Sequence, residues 1–420
     1  MAGLARLDEP LPQDAADPAA VLRLLDEVVS PATMAMAGPR FFGFVIGGSL
    51  PAALAANWLA GAWDQNAGLY ASTPGVAQLE TVVLGWLKEL FELPATTEGA
   101  FVTGGTMANF TALAAARHQL LARAGWDVEA HGLFGAPPVT VVVGDEAHPT
   151  LFKSLGLLGF GRNRVVRVPV DGQGRLRADQ LPAITGPTLI CTQAGNVNTG
   201  AFDPVGEICQ RVQTANAWVH VDGAFGLWAK TAPSLKPLAS GLELADSWAT
   251  DAHKWLNVPY DSGLAFVRES GVLPAAMAIT AAYLPPGGAH RNPSDFTPEL
   301  SRRARGVEVW AALKSLGRTG VADLIERTCA HARLFARRLG DAGFEILNEV
   351  TLNQVLVSFG SAERTGRVIT RIQEDGTCWC GTTLWQGQRA MRISVCSWAT
   401  TTDDVERSVA AIIRCAQLEA

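Results

Sequence analysis

Apolar residues recur along this chain in two rhythms. Between residues 51 and 124 they return at helical spacing, which predicts helices over 51–62, 75–92 and 105–124. The middle one lines up Ala77, Leu79, Val82, Val83, Trp86, Leu87 and Leu90. Beyond residue 138 come short unbroken apolar runs: Val139–Val143, Val165–Val168, Thr188–Cys191, Trp218–Val221 and Leu264–Val267. Such runs, β-branched and without polar alternation, suit strands buried on both faces. Interleaved with helical stretches, they predict an α/β protein with a mostly parallel central sheet covered by helices.

Past residue 280 the pattern changes again. Ala282–Pro298 is rich in Pro, Gly, Asn and His and reads as a long loop. Helical spacing returns over Arg302–Leu316 and Val321–Leu339. Phe344–Leu347, Gln354–Phe359 and Met391–Val395 read as strands, and Thr401–Cys415 as a closing helix with Asp403, Asp404 and Glu406 near its N-terminal dipole. The organisation expected is a helical arm (1–48), a large domain (49–315) and a smaller α+β domain (316–420).

At 420 residues, 48% hydrophobic and 18% charged, the chain can bury a large core and lies far from disordered compositions. A net charge of −6 with both signs interspersed gives no basic stripe, so nucleic acid is not an expected partner. The seven cysteines form no CxxC pair, which favours reduced thiols in a cytoplasmic protein over a disulfide framework or a zinc site. Met1–Asp26 has no apolar core of a signal peptide. Phe41–Trp63 carries no charge over 23 residues, enough to span a bilayer, but its Gly-Gly-Ser-Leu-Pro break predicts a buried segment, a loop and then an amphipathic helix from Pro51.

Five stretches carry candidate chemistry. In Thr250-Asp251-Ala252-His253-Lys254-Trp255, a lysine follows a strand-like segment; desolvation there would lower its pKa and make it a nucleophile toward aldehydes. The strand Trp218–Val221 runs into Asp222-Gly223-Ala224, bringing a carboxylate to a sheet edge, where it could hold a heterocyclic nitrogen protonated. Thr103-Gly104-Gly105-Thr106 opens a helix with bare amides suited to phosphate. Asp145-Glu146-Ala147-His148 ends another strand with an imidazole that could stack on a planar group. Gln193 to Pro204, with Asn196 and Asn198, forms a further polar edge loop. Taken singly, each stretch also reads as an ordinary turn, cap or helix start. Together and in this order they describe one site.

These motifs, with Gln78-Leu79-Glu80, Gly200-Ala201-Phe202-Asp203-Pro204 and Met391-Arg392-Ile393-Ser394-Val395, resemble the group II pyridoxal phosphate-dependent amino-acid decarboxylases across roughly residues 40 to 410. The resemblance implies the fold type I (aspartate aminotransferase-like) architecture and pyridoxal 5'-phosphate as cofactor. It further implies a homodimer with active sites at the interface, a small amino-acid substrate and no membrane partner. It implies Lys254 as the Schiff-base lysine, Asp222 on the ring nitrogen, Ala224 beneath the ring and His148 stacked above it. Gly105, Thr106 and His253 would hold the phosphate. Asp251 stands where relatives often carry Asn, and Asn196 and Asn198 where they often carry Thr, near the cofactor's ring oxygen. Arg392 would meet a carboxylate or form a structural ion pair.

One departure matters. The loop that supplies a catalytic tyrosine in such decarboxylases maps to 284–301 and contains none; Tyr283 only precedes it. The expected reaction is decarboxylation of an L-amino acid, with His290 or His148 as substitute proton donor. Aldehyde synthesis or a carbon–carbon lyase or aldolase reaction on the same scaffold is the alternative.

Overall fold

The short apolar runs become strands because their β-branched side chains pack on both faces of a pleated sheet. The computed structural model describes residues 3–282 and 290–419. Tyr283 and the first part of the 284–301 loop therefore lie outside the described residues.

In the first three quarters of the chain the strands are β1 (Glu98–Val102), β2 (Thr140–Gly144), β3 (Val166–Val168), β4 (Thr188–Gln193), β5 (Ala217–Asp222), β6 (Ser247–Asp251) and β7 (Gly263–Val267). They form one sheet in the order β1-β7-β6-β5-β4-β2-β3. The pairs β2–β3, β2–β4, β4–β5 and β5–β6 are parallel, whereas β7 is antiparallel to both β1 and β6. Of these seven strands only β7 runs against the rest. The carboxyl ends of β1, β2, β4, β5 and β6 consequently share one edge, and each of the five candidate stretches leaves the sheet there.

The helices of this part are α1 (Pro18–Val28), α2 (Pro51–Trp63), α3 (Pro74–Leu90), α4 (Gly105–Arg123), α5 (Val128–His131), α6 (Pro149–Leu157), α7 (Val205–Val212), α8 (Val272–Met277) and α9 (Gly306–Asp341). The uncharged 41–63 segment divides where Gly47 and Gly48 break it: α2 starts with Pro51 at its first turn and stops at Asp64, which adopts a left-handed conformation. Among the described residues no helix is long and apolar enough to cross a membrane. The amphipathic expectation for α2 needs correction in one respect. Its small face, Ala53, Ala56 and Ala60, is buried, while Leu54, Trp58, Leu59 and Trp63 point to solvent.

The rest of the chain builds a second, antiparallel sheet from β8 (Glu345–Ile346), β9 (Gln354–Ser358), β10 (Gly381–Trp385) and β11 (Gln388–Ser394), in the order β10-β11-β9-β8. α10 (Ala362–Asp375) and α11 (Thr402–Leu418) cover it. α11 begins in a capping box, Thr401 and Asp404 each accepting from the other's backbone N–H. The two helices expected at 302–316 and 321–339 form the single element α9, interrupted at Gly317, where φ is 63°. One apolar cluster takes in α9 residues up to Cys329; the small-sheet cluster begins at Ala332 and Phe335.

Candidate active site

The edge shared by the five strand ends encloses a cavity of about 300 Å³. β1 runs out at Val102, and the chain turns through Thr103 and Gly104 into α4. The N–H groups of the first turn of α4 have no helical acceptor and line the cavity. Glycine is required here by crowding from β6: a Cβ on Gly105 would stand 2.8 Å from Asp251 Oδ2, and one on Gly104 would stand 3.0 Å from His253 Cε1.

β6 ends at Asp251, and the following turn places His253 and Lys254 beside it. Lys254 Nζ lies 2.9 Å from Asp251 Oδ2, and His253 Nε2 lies 3.6 Å from Asp251 Oδ1. Asp251 Oδ1 is buried and has no hydrogen-bond partner among the described residues. The lysine departs from its expected electrostatics. Burial does lower its pKa, but the Asp251 carboxylate, and more weakly Asp222, outweigh it and hold the amine above the ordinary lysine value. In this arrangement Lys254 is an ion-paired ammonium, and it becomes a nucleophile only when its proton is removed. The backbone around it is tightly enclosed: a Cβ on Gly47 would fall 1.7 Å from the Lys254 carbonyl oxygen, and Leu50 N–H donates to the Asn257 carbonyl at 2.7 Å.

β5 delivers Asp222. Its Oδ2 accepts from Asn109 Nδ2 at 3.1 Å and its Oδ1 from the Ala224 N–H at 3.2 Å, and both of these partners line the cavity. β2 delivers His148, which caps α6; its Nδ1 meets Thr150 Oγ1 at 2.7 Å. Burial lowers the His148 pKa, Asp222 pulls it back up, and Lys254 and Arg392 lower it further. Burial also lowers that of His253, whose Nδ1 accepts from the Ser262 N–H at 3.1 Å.

Of the residues singled out in the sequence, the cavity wall brings together Gly105, Thr106, His148, Ala224, Asp251, His253 and Lys254, with Asp222 bonded to two lining residues. Asn196 is placed differently. It is buried, its Nδ2 donates to Glu146 Oε2 at 3.2 Å, and its Oδ1 accepts from the Asn198 and Thr199 N–H groups. Asn198 bonds Thr383 of β10. Arg392 donates to the Val197 carbonyl at 3.2 Å and makes no ion pair among the described residues. His290 stacks on Tyr70 at 3.9 Å instead of lining the cavity.

Sequence reasoning gave Asn109, His220, Glu146 and Gly47 no role of their own in the site. Asn109 follows Gly105 by one helical turn, and His220 precedes Asp222 by two on a strand, so periodicity alone could have placed both on the site's side. Glu146 and Gly47 act through contacts between distant segments, and no local pattern signals them.

The site holds a bare-amide helix start for an anion, an amine beside a buried carboxylate, a second carboxylate fixed by N–H donors, and an imidazole. The unpartnered oxygen of Asp251 and the glycine cradle leave room for a phosphorylated aldehyde, and the donor set fits pyridoxal phosphate. Comparison with known proteins agrees. The model of the pyridoxal-dependent decarboxylase conserved domain matches residues 3–360. The chain is similar to an aromatic-L-amino-acid decarboxylase of Bacillus atrophaeus, 26% identical over 95% of this chain and 86% of that one. It is also similar to an L-2,4-diaminobutyrate decarboxylase of Rhizobium meliloti, 28% identical over 86% and 74% of the two chains. The solved structure of Oryza sativa TDC with PLP and tryptamine superposes with a TM-score of 0.91 at 24% identity, over 99% of this chain and 91% of that one, and shows the same fold. The chain belongs to the pyridoxal-dependent decarboxylase family and is a fold type I, pyridoxal phosphate-dependent amino-acid decarboxylase.

Proposed function

We infer that Lys254 is the residue that carries the cofactor and that this enzyme converts an L-amino acid to its amine. The observation that carries this reading is the placement of Lys254 and Asp251 opposite the open first turn of α4, with Asp222 bonded beneath the same cavity. When bound, pyridoxal phosphate supplies an aldehyde that condenses with an amine and a protonated ring that draws electrons from the bond being broken. The amides of Gly105 and Thr106, with His253, would hold the phosphate dianion. Asp222 would hold the proton on the cofactor's ring nitrogen, and Ala224 and His148 would flank the ring. Asn196 shapes the neighbouring loop through Glu146. Asp251 holds the Lys254 ammonium at the cavity until the amine loses its proton. Arg392 is a half-buried guanidinium without a carboxylate partner among the described residues, which supports a role in holding the substrate's carboxyl group.

The proton that completes the amine comes, in this reading, from His148. Its lowered pKa makes its imidazolium a stronger acid, and with Nδ1 engaged by Thr150 its Nε2 is the nitrogen free to deliver that proton, leaving a neutral ring. His290 is less suited because it is exposed and stacked on Tyr70.

Several coarser features extend the reading. The apolar outer face of α2, together with Val21, Leu22 and Leu25 of α1, supports a homodimer that covers these residues. Seven free thiols support a cytoplasmic protein. The Gly317 break supports a division into an arm (1–48), a large domain (49–315) and a small domain (316–420). Incubating the holoenzyme with aromatic, acidic and diamino acids tests the function. One of them should yield amine with retention of His148-dependent turnover, and aldehyde with peroxide in place of amine would reject it.

A further inference from the structure

β5 and β6 carry a buried polar row that ends at Asp222. Strand alternation puts Trp218, His220 and Asp222 on one face of β5. The sheet register pairs His220 with Ser247 of β6. α4 lies across this face and contributes Asn109 one turn in from its glycine start. All five side chains are at least nine-tenths buried. Four hydrogen bonds join them: Trp218 Nε1 to Ser247 Oγ at 2.8 Å, Ser247 Oγ to His220 Nδ1 at 2.9 Å, His220 Nε2 to Asn109 Oδ1 at 2.8 Å, and Asn109 Nδ2 to Asp222 Oδ2 at 3.1 Å.

The direction of every proton in this row is fixed by chemistry. Indole Nε1–H can only donate, so Ser247 Oγ accepts from Trp218; the Asp222 carboxylate can only accept, so Asn109 faces it with Nδ2 and faces His220 with Oδ1, which leaves the Ser247 hydrogen for Nδ1 of the neutral ring. His220 Nδ1 then accepts, and the proton of the neutral ring sits on Nε2. Asn109 accepts there on Oδ1 and gives an N–H to Asp222. Burial pushes the His220 pKa down to about 3, so the ring stays neutral and the row is not interrupted by a second ring proton. Bonds aligned head to tail polarise one another, and their positive ends all point at the Asp222 carboxylate.

We propose that Trp218, Ser247, His220 and Asn109 form a one-way donor chain that fixes the Asp222 carboxylate as a hydrogen-bond acceptor aimed at the cofactor ring, which makes Asn109 and His220 positioning residues for decarboxylation. This rests on the reading of Asp222 as the ring-nitrogen partner. The chain explains why an imidazole is buried completely with both nitrogens bonded: a neutral ring in one tautomer transmits an N–H from the strand interior to the helix. An aliphatic side chain in its place would leave Asn109 Oδ1 buried and unpaired and loosen the amide that donates to Asp222.

Nitrogen NMR on the cofactor-free protein labelled with ¹⁵N-histidine reads the first link without any turnover. The chain requires one histidine with unprotonated Nδ1 and protonated Nε2 that keeps this state between about pH 5 and pH 9, well above its depressed pKa, and that is missing from His220→Gln. A doubly protonated or Nδ1–H state at His220 overturns the proposal. The holoenzyme with ¹⁵N-labelled pyridoxal phosphate reads the far end. The ring nitrogen should be protonated in the native protein and unprotonated in Asp222→Asn. It should titrate at lower pH in Asn109→Leu and His220→Phe, with kcat down about 10- to 100-fold and KM little changed. Gln places an N–H near the imidazole Nε2 position, so His220→Gln should recover most of the loss. If Asp222→Asn leaves the ring protonated, the assignment of Asp222 fails. If Asp222→Asn removes the proton while Asn109→Leu and His220→Phe behave as native, that assignment stands and the donor chain is refuted.

Discussion

At the scale of single residues, the site is governed by which charges share the cavity floor. The sequence marked Lys254 as a nucleophile through desolvation, and the position was legible because the motif around it is dense in specific residue types. Its electrostatics were not legible, since they depend on Asp251 Oδ2 lying 2.9 Å away across a turn. A pKa raised by that carboxylate has a consequence of definite sign. The neutral amine required for attack becomes scarcer at a given pH, so cofactor uptake by the cofactor-free protein should accelerate as pH rises. In Asp251→Asn the midpoint of that acceleration should move to lower pH, as stopped-flow absorbance would record; an unchanged midpoint would remove Asp251 from the account. Lys254→Ala should abolish the absorbance of the lysine-bound cofactor and reduce turnover by about 1,000-fold or more. Asn109 and His220 escaped a functional reading because a buried polar side chain on a strand or helix reads the same as a capped or merely satisfied one until its partners are seen.

At the scale of elements, β2, β3, β4, β5 and β7 were legible from unbroken apolar runs, and the carboxyl edge shared by the parallel strands followed from the topology. Strand β1 and the β10 arm of the β10–β11 hairpin were not, whereas β11 was read at Met391–Val395. β1 includes Glu98 and Gly99, while β10 alternates half-buried and exposed residues, so neither resembles a buried run. Contacts between elements fix β1. Arg302, just ahead of α9, donates to the Phe101 carbonyl at 2.9 Å and pairs with Glu80 of α3 at 2.8 Å, with both side chains almost wholly buried. Burial raises the Glu80 pKa and Arg302 lowers it. Replacing Arg302 by Met strands that carboxyl group and should destabilise the fold by about 3–5 kcal/mol. Adding Glu80→Gln should recover part of this, measured as urea midpoints. Glu146 makes a second clasp. It accepts from Asn196, Trp385 and Gln386, tying the loop that bears His148 to the tip of the β10–β11 hairpin. Glu146→Leu should loosen that tip, seen as faster amide exchange at Trp385 and Gln386 than elsewhere in the small sheet.

At the scale of the whole molecule, the fold class was readable because two-sided burial, helix spacing and motif order all pointed to one architecture. The outward face of α2 was misjudged because an apolar helix face looks alike whether it meets the chain's own core or another chain. Trp58, 66% exposed, sits with Leu54, Leu59 and Trp63 on a surface that water covers poorly. Sedimentation equilibrium should find a dimer, and Trp58→Glu together with Leu59→Glu should shift it toward monomer. A native monomer at micromolar concentration would contradict that arrangement. The central claim is chemical, however, and concerns how the reaction ends without a tyrosine anywhere in residues 284–301. Stoichiometry tests it most directly: holoenzyme supplied with its best amino-acid substrate in air, with carbon dioxide, amine, aldehyde and peroxide all quantified. The account predicts one amine released per carbon dioxide with no peroxide, and carbon dioxide accompanied by aldehyde and peroxide, or amino-acid consumption without carbon dioxide, would contradict it.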